Sequence, residues 1–243
     1  MESSVHQAEH ENEQTHWWFV GRRELFTRIL TRNITLSDAE IVDLGTSTGT
    51  NLRMFAELGA QHVRGVEIDP RAAEYAREKT GYPVIVADCT ALPFNASEMD
   101  CVIATDVVEH IFDDKSALME MRRVIKPNGL LLLTVPAFMS LWGTQDDLSH
   151  HKRRYRKPEL IALLEEANFA VVRAWYFNFF LFPAIFVARQ LLSRIGTQMR
   201  SEGDLNSPLL NAALLKLFRL DCRLSELLQF PFGVSICVVA KAK

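Results

Sequence analysis

Residues 41–59 read IVDLGTSTGTNLRMFAELG. An apolar run carries Asp43 near its end, Gly45 and Gly49 bracket three small hydroxyl residues, and an amphipathic helix pattern follows. A strand that turns directly into a helix presents unpaired backbone N–H groups at the helix N-terminus. Glycines there let a ligand approach the backbone. The stretch therefore predicts a strand–turn–helix unit of an α/β sheet with a ligand at the turn.

The pattern continues on both sides. Short, continuously apolar runs at 40–44, 62–68, 83–87, 101–105 and 130–135 read as strands covered on both faces. Helix patterns at 51–58, 70–79 and 114–124 separate them. This βαβα rhythm predicts a parallel sheet with helices on both faces. Right-handed crossovers then place every strand's C-terminal end along one ligand-binding edge. After Val135, a loop rich in Trp, His and Arg leads to a helix with Pro158 in its first turn. AVVRAWYFN (170–178) reads as a sixth strand and GVSICVVAKA (233–242) as a seventh, with a leucine-rich helical insertion at 179–232 between them. The expectation is a Rossmann-like α/β fold: one domain over 1–243, with seven mostly parallel strands and an antiparallel last strand. Residues 1–38 form an N-terminal helical lid region, 39–137 the core, and 138–243 the remainder.

The 243 residues, 48% of them hydrophobic, suit one domain with a sizeable core. A formal net charge of −3 gives no ground for a nucleic-acid partner. Cys89, Cys101, Cys222 and Cys237 form no CxxC pair or metal-like spacing. They read as buried thiols of a reducing, cytoplasmic compartment. The polar, acidic start lacks the basic flank and apolar core of a signal peptide.

The acids select the ligand. A dinucleotide fingerprint needs GxGxxG, whereas this turn is GxxxG. Asp43 before it would repel a pyrophosphate and attract an amine. Glu67 ends the second strand, where a carboxylate can take both hydroxyls of a ribose. Asp88 ends the third, in reach of an adenine amine. A ribose, an adenine and a cationic tail without phosphate describe S-adenosyl-L-methionine.

The series VDLGTSTGTN, VRGVEIDP, VADCTALPF, MDCVIATDVVEHI and VIKPNGLLLLTVP resembles class I S-adenosylmethionine-dependent methyltransferases of the small-molecule type, the methyltransferase type 11 or ubiquinone-menaquinone methyltransferase-like family. The likeness is strong over 17–137 and weak beyond. Ser47 stands where the family usually has a third glycine. The resemblance implies that Asp43 holds the methionine amino group and that Gly45, Thr46 and Gly49 admit the cofactor. Glu67 then takes the ribose, Ile68 packs on the adenine, Asp88 and Cys89 face its edge, and Thr105 and Asp106 lie under the methionine moiety. It also implies that Trp17, Trp18 and Arg22 face the pocket. The bland alternative for each is a tight turn, a helix cap or a packed tryptophan.

For a small-molecule methyl acceptor, with an apolar body and a polar or acidic methylated end, the candidates lie outside the core. His110 and His151 are candidate proton acceptors, with His150 and Tyr155 beside His151. Lys152, Arg153, Arg154, Arg156 and Lys157 read either as an anion attractor or as a solvated charge run. The aromatic region 174–192 reads as core, acceptor pocket or a docking face for a membrane or lipid. His6 and His10, four apart in a polar arm, are not read as metal ligands, and no metal is expected. Two other functions stay open: a catalytically silent cofactor- or partner-binding protein, and an NAD-type oxidoreductase, against which the missing GxGxxG counts.

Overall fold

The computed structural model describes residues 13–195 and 207–243. Seven strands form one sheet: β1 (Glu40–Leu44), β2 (His62–Glu67), β3 (Val84–Val86), β4 (Met99–Thr105), β5 (Ile125–Pro136), β6 (Phe169–Phe177) and β7 (Ser235–Ala242). Their order is β3-β2-β1-β4-β5-β7-β6. Neighbours among the first five pair parallel, while β7 runs antiparallel to both β5 and β6.

Strand alternation divides the apolar residues between two cores. Val42, Leu44, Val102, Ala104, Leu131 and Leu133 face one. Ile41, Cys101, Ile103, Leu130 and Leu132 face the other. The first core is closed by α4 (Asp114–Val124) and α6 (Lys157–Glu166). The second is closed by α1 (Trp17–Asn33), α2 (Thr50–Glu57), α3 (Pro70–Thr80) and α8 (Pro208–Leu228). Continuous apolar strands thus become sheet covered on both faces.

Local signals place the helix starts. Asp69 caps α3, accepting from the Arg71 N–H at 2.8 Å ahead of Pro70. Ser207 caps α8 in the same way. The strand edges move where pairing overrides hydropathy. β5 starts at Ile125, not 130, because Met99 pairs with Ile125 across a register shift. β3 is shorter than its apolar run because it is an edge strand with a single neighbour, β2.

The insertion contains α7 (Phe182–Ile195) and α8. Gly21 of α1 meets the buried ring of Phe218, so a side chain at this position would collide with it. Glu226 of α8 binds Arg28 and Arg32 of α1 and Arg173 of β6. Around α7, Phe179 stacks on Phe230 at 4.1 Å and Phe182 packs on Phe232 and Phe138. Among the described residues, no helix is long and apolar enough to cross a membrane.

Candidate active site

The C-terminal ends of β1, β2, β4 and β5 meet at one edge. Asp43 is fully buried there. Its Oδ1 accepts from Asn51 Nδ2 at 3.0 Å, and Asn51 also donates to Thr105 Oγ1 at 3.1 Å. Its Oδ2, equally buried, has no hydrogen-bond partner. Burial pushes the Asp43 carboxyl up to about 7; the Asn51 hydrogen bond opposes this, and the Glu67 charge adds to it.

The turn after Asp43 is pinned to β2, with the Gly45 and Thr46 N–H groups both donating to the Val66 carbonyl (2.9 and 3.1 Å). Gly45, Ser47 and Gly49 all have positive φ (67°, 48° and 81°). A Cβ on Gly45 would lie 2.5 Å from Val107 Cγ2. Ser47 takes up the left-handed backbone that a glycine takes without strain. Thr46 turns inward: its hydroxyl donates to the Asp43 carbonyl at 2.9 Å, and it packs against Gly65. Its side chain holds the turn rather than lining the edge.

Glu67 is buried and accepts three backbone hydrogen bonds: Oε2 from Ser47 N at 2.8 Å, and Oε1 from Ile68 N and Asp69 N at 2.9 and 3.0 Å. It ties the glycine turn to the end of β2. Ile68 beside it is 67% exposed, an apolar side chain offered at the edge. Asp88 is exposed and accepts from the Thr90 N–H and hydroxyl. Cys89 packs against the first core, and burial raises its thiol to about 12.

Beyond β4 the backbone of Asp106 is left-handed (φ 57°). Its carboxylate pairs with Arg22 at 2.6 Å and accepts from Thr134 Oγ1 at 3.2 Å. The Arg22 guanidinium lies over Trp18 and Phe26 (5.2 Å each). Trp18 is nearly parallel to Phe177, and Trp17 packs edge-on to Phe218. The tryptophans therefore fasten α1 to the second core, while Arg22 reaches the strand edge and finds Asp106.

A second cluster adjoins this pair. Glu109 and His110 lie in a single helical turn, Val108–His110. The loop after β5 carries the short helix α5 (Thr144–Leu148) and brings His151 alongside, with the Lys152 N–H donating to the Glu109 carbonyl at 2.7 Å. The His110 and His151 rings are 4.6 Å apart, edge to face. Burial, with His151 adding, lowers His110 to about 4. Glu109 is fully buried, and neither carboxylate oxygen accepts a hydrogen bond from another residue. Burial and the nearby Asp106 charge hold it well above the usual carboxylate range.

Two residues of the basic run are spent on structure. Arg153 pairs with Asp114, and Arg154 is buried against Asp146 through bonds of 2.7 and 2.9 Å. Tyr155 is buried, donating to Asp114. His150 is exposed, and His6 and His10 lie outside the described residues. Reading the sequence missed Asn51, Glu13, Glu109 and Asp146. Only Asn51 left a signal, a polar residue on the first turn after the glycines.

Residues 42–133 match the family described as "Methyltransferase domain". An "uncharacterized methyltransferase" of Mycolicibacterium gilvum is 32% identical over 133 residues, covering 53% of this chain and 50% of the relative. A "Probable S-adenosylmethionine-dependent methyltransferase" of Mycolicibacterium smegmatis is 24% identical over 163 residues, 65% of this chain and 61% of the relative. The chain thus spans about half to three-fifths of these relatives' lengths. Among solved structures, a chain of the complex between the Haloferax volcanii Trm112 methyltransferase activator and its methyltransferase partner shares the fold. It has a TM-score of 0.64 at 17% identity, over 99% of this chain and 94% of that one. The strand edge fits the cofactor named by the Mycolicibacterium smegmatis relative: an orphaned acid oxygen for an ammonium, a glycine turn, and an exposed apolar residue beside a buried glutamate. Residues 42–133 accordingly match a methyltransferase domain, and the chain carries a Rossmann-like fold shared with a solved methyltransferase structure.

Proposed function

We propose that this chain transfers a methyl group from S-adenosylmethionine to a small-molecule acceptor with an apolar body and a polar or acidic methylated end. The observation that carries this reading is Asp43, fully buried behind the glycine turn with one oxygen unpartnered. A phosphate there would add charge of the same sign, whereas the ammonium of a methionine tail supplies both the missing donor and the opposite charge.

The cofactor, when bound, supplies an electrophilic methyl group already joined to its sulfonium leaving group. The chain's share is holding and aiming. In this reading Gly45 and Gly49 leave the backbone open, and Glu67 serves the ribose with the lone pairs its three backbone donors leave free. Ile68 covers the adenine, Asp88 and Cys89 flank it, and Thr105 and Asp106 underlie the methionine portion. The acceptor lies between α1, the His151 loop and the aromatic insertion. Its support is that Arg189 of α7 donates to the Leu141 carbonyl and reaches Asp146 at 3.3 Å, fastening the insertion to that loop.

The test is thermal denaturation with S-adenosylhomocysteine and, separately, NADH. A ligand that binds the native state alone raises the melting temperature. S-adenosylhomocysteine is expected to do so and NADH is not; the reverse result overturns the reading.

A further inference from the structure

We propose that Glu109, His110 and His151 bind one divalent transition-metal cation at the acceptor end of the site. Among the described residues these three bring one carboxylate oxygen and two imidazole nitrogens within 4.8 Å of one another. Ligands around one such ion, at about 2.0–2.2 Å from it, sit about 3–4 Å apart, so a small side-chain rotation closes the group. Two nitrogens and one oxygen suit zinc, cobalt, iron or manganese rather than magnesium or calcium.

Two further observations point to a ligand. Glu109 is completely buried, and neither oxygen is bonded to another residue. Burying an unmatched carboxylate is costly, whereas a cation would supply both charge and partner. His151 is also held as metal-binding histidines are held. Its Nδ1 lies 2.8 Å from Asp146 Oδ1, leaving Nε2 for the cluster. Asp146 is itself fixed by Arg154 and by the Gly143 N–H at 2.9 Å. The opposing reading, a protonated Glu109 within a neutral polar core, leaves its O–H without an acceptor.

Three protein ligands leave positions open for an outside molecule. The use of the cation rests on the methyl-transfer reading. There it would take the oxygen of a hydroxyl acceptor and ease loss of its proton to water. The oxygen's electron pair then forms the O–CH3 bond as the C–S pair returns to sulfur. The acceptor class is therefore a hydroxyl compound able to ligate a metal.

The experiment is a Co2+ titration of the chelator-treated, desalted protein, followed by visible d–d absorption, without cofactor or acceptor. One saturable equivalent is expected. Glu109→Gln and His151→Gln should each weaken binding at least about tenfold. Glu109→Asp should retain part of it, and His150→Asn, one residue away and exposed, should leave it unchanged. S-adenosylhomocysteine affinity, measured on every variant, checks the fold and tests the cofactor reading separately. No saturable signal in the wild-type protein, or equal binding by all variants, overturns the metal site even if S-adenosylhomocysteine binds.

Discussion

Asp43 carries a pH dependence whose sign is fixed by its surroundings. Its folded pKa is raised, to about 7, so the native state keeps a proton that the unfolded chain loses near pH 4. Its contribution to stability is therefore present at low pH and lost as pH rises toward 7. A cationic ligand tail reverses the preference, because it favours the ionised acid. The melting-temperature increase given by S-adenosylhomocysteine should be larger at pH 7.5 than at pH 5.5, and Asp43→Asn should flatten that difference. An equal increase at both pH values in the wild-type protein would remove Asp43 from ammonium binding. Glu67 differs, because its carboxylate already serves three backbone N–H groups. Glu67→Ala should weaken S-adenosylhomocysteine by about 1.5–3 kcal/mol in calorimetry. It should also lower the melting temperature, since the Ser47, Ile68 and Asp69 amides lose their acceptor. A fall in stability at unchanged affinity would make it a loop anchor only.

At the scale of elements, the seam between α1 and α8 joins segments nearly 200 residues apart. Phe218 fills the space that Gly21 leaves. Gly21→Val should destabilise by about 1–3 kcal/mol in urea unfolding, because a packed core resists added volume. No loss would mean that the helices can separate. The sequence revealed α1 as a helix and 179–232 as helical, but not their pairing. Apolar period and caps act within one segment, whereas Gly21 and Phe218 meet only when the sheet brings them together. The same division runs through the site. Asp43, Glu67 and Asp88 were legible because each stands at the end of a readable strand. Glu109 and Asp146 were not, because their neighbours come from other segments: Asp146 holds His151 and Arg154, and Glu109 meets His151, only once the loop after β5 is folded. Met99, likewise, reads as part of a loop until its pairing with Ile125 draws it into β4.

Across the whole molecule, the segment before α1 is fastened to the glycine turn. Glu13 is almost fully buried, accepts from Thr48 and Thr50 hydroxyls at 2.9 and 2.6 Å, and pairs with Lys79. In the proposed reading this segment covers the cofactor, and such an anchor should slow ligand release. Glu13→Ala is expected to release S-adenosylhomocysteine about tenfold faster in stopped-flow measurements, a change of about 1.4 kcal/mol. Unchanged release would make the anchor purely structural. The position of β7 reaches further. It is the last strand in chain order, yet it lies between β5 and β6. A nascent chain on the ribosome can therefore assemble β1 to β5 while β6 still has no neighbour to pair with. Until residues 235–242 emerge, two unsatisfied strand edges face one another across an empty slot. Synthesis that pauses within α8 prolongs that exposure, so elongation rate and chaperone supply, rather than native stability alone, set how much chain escapes aggregation.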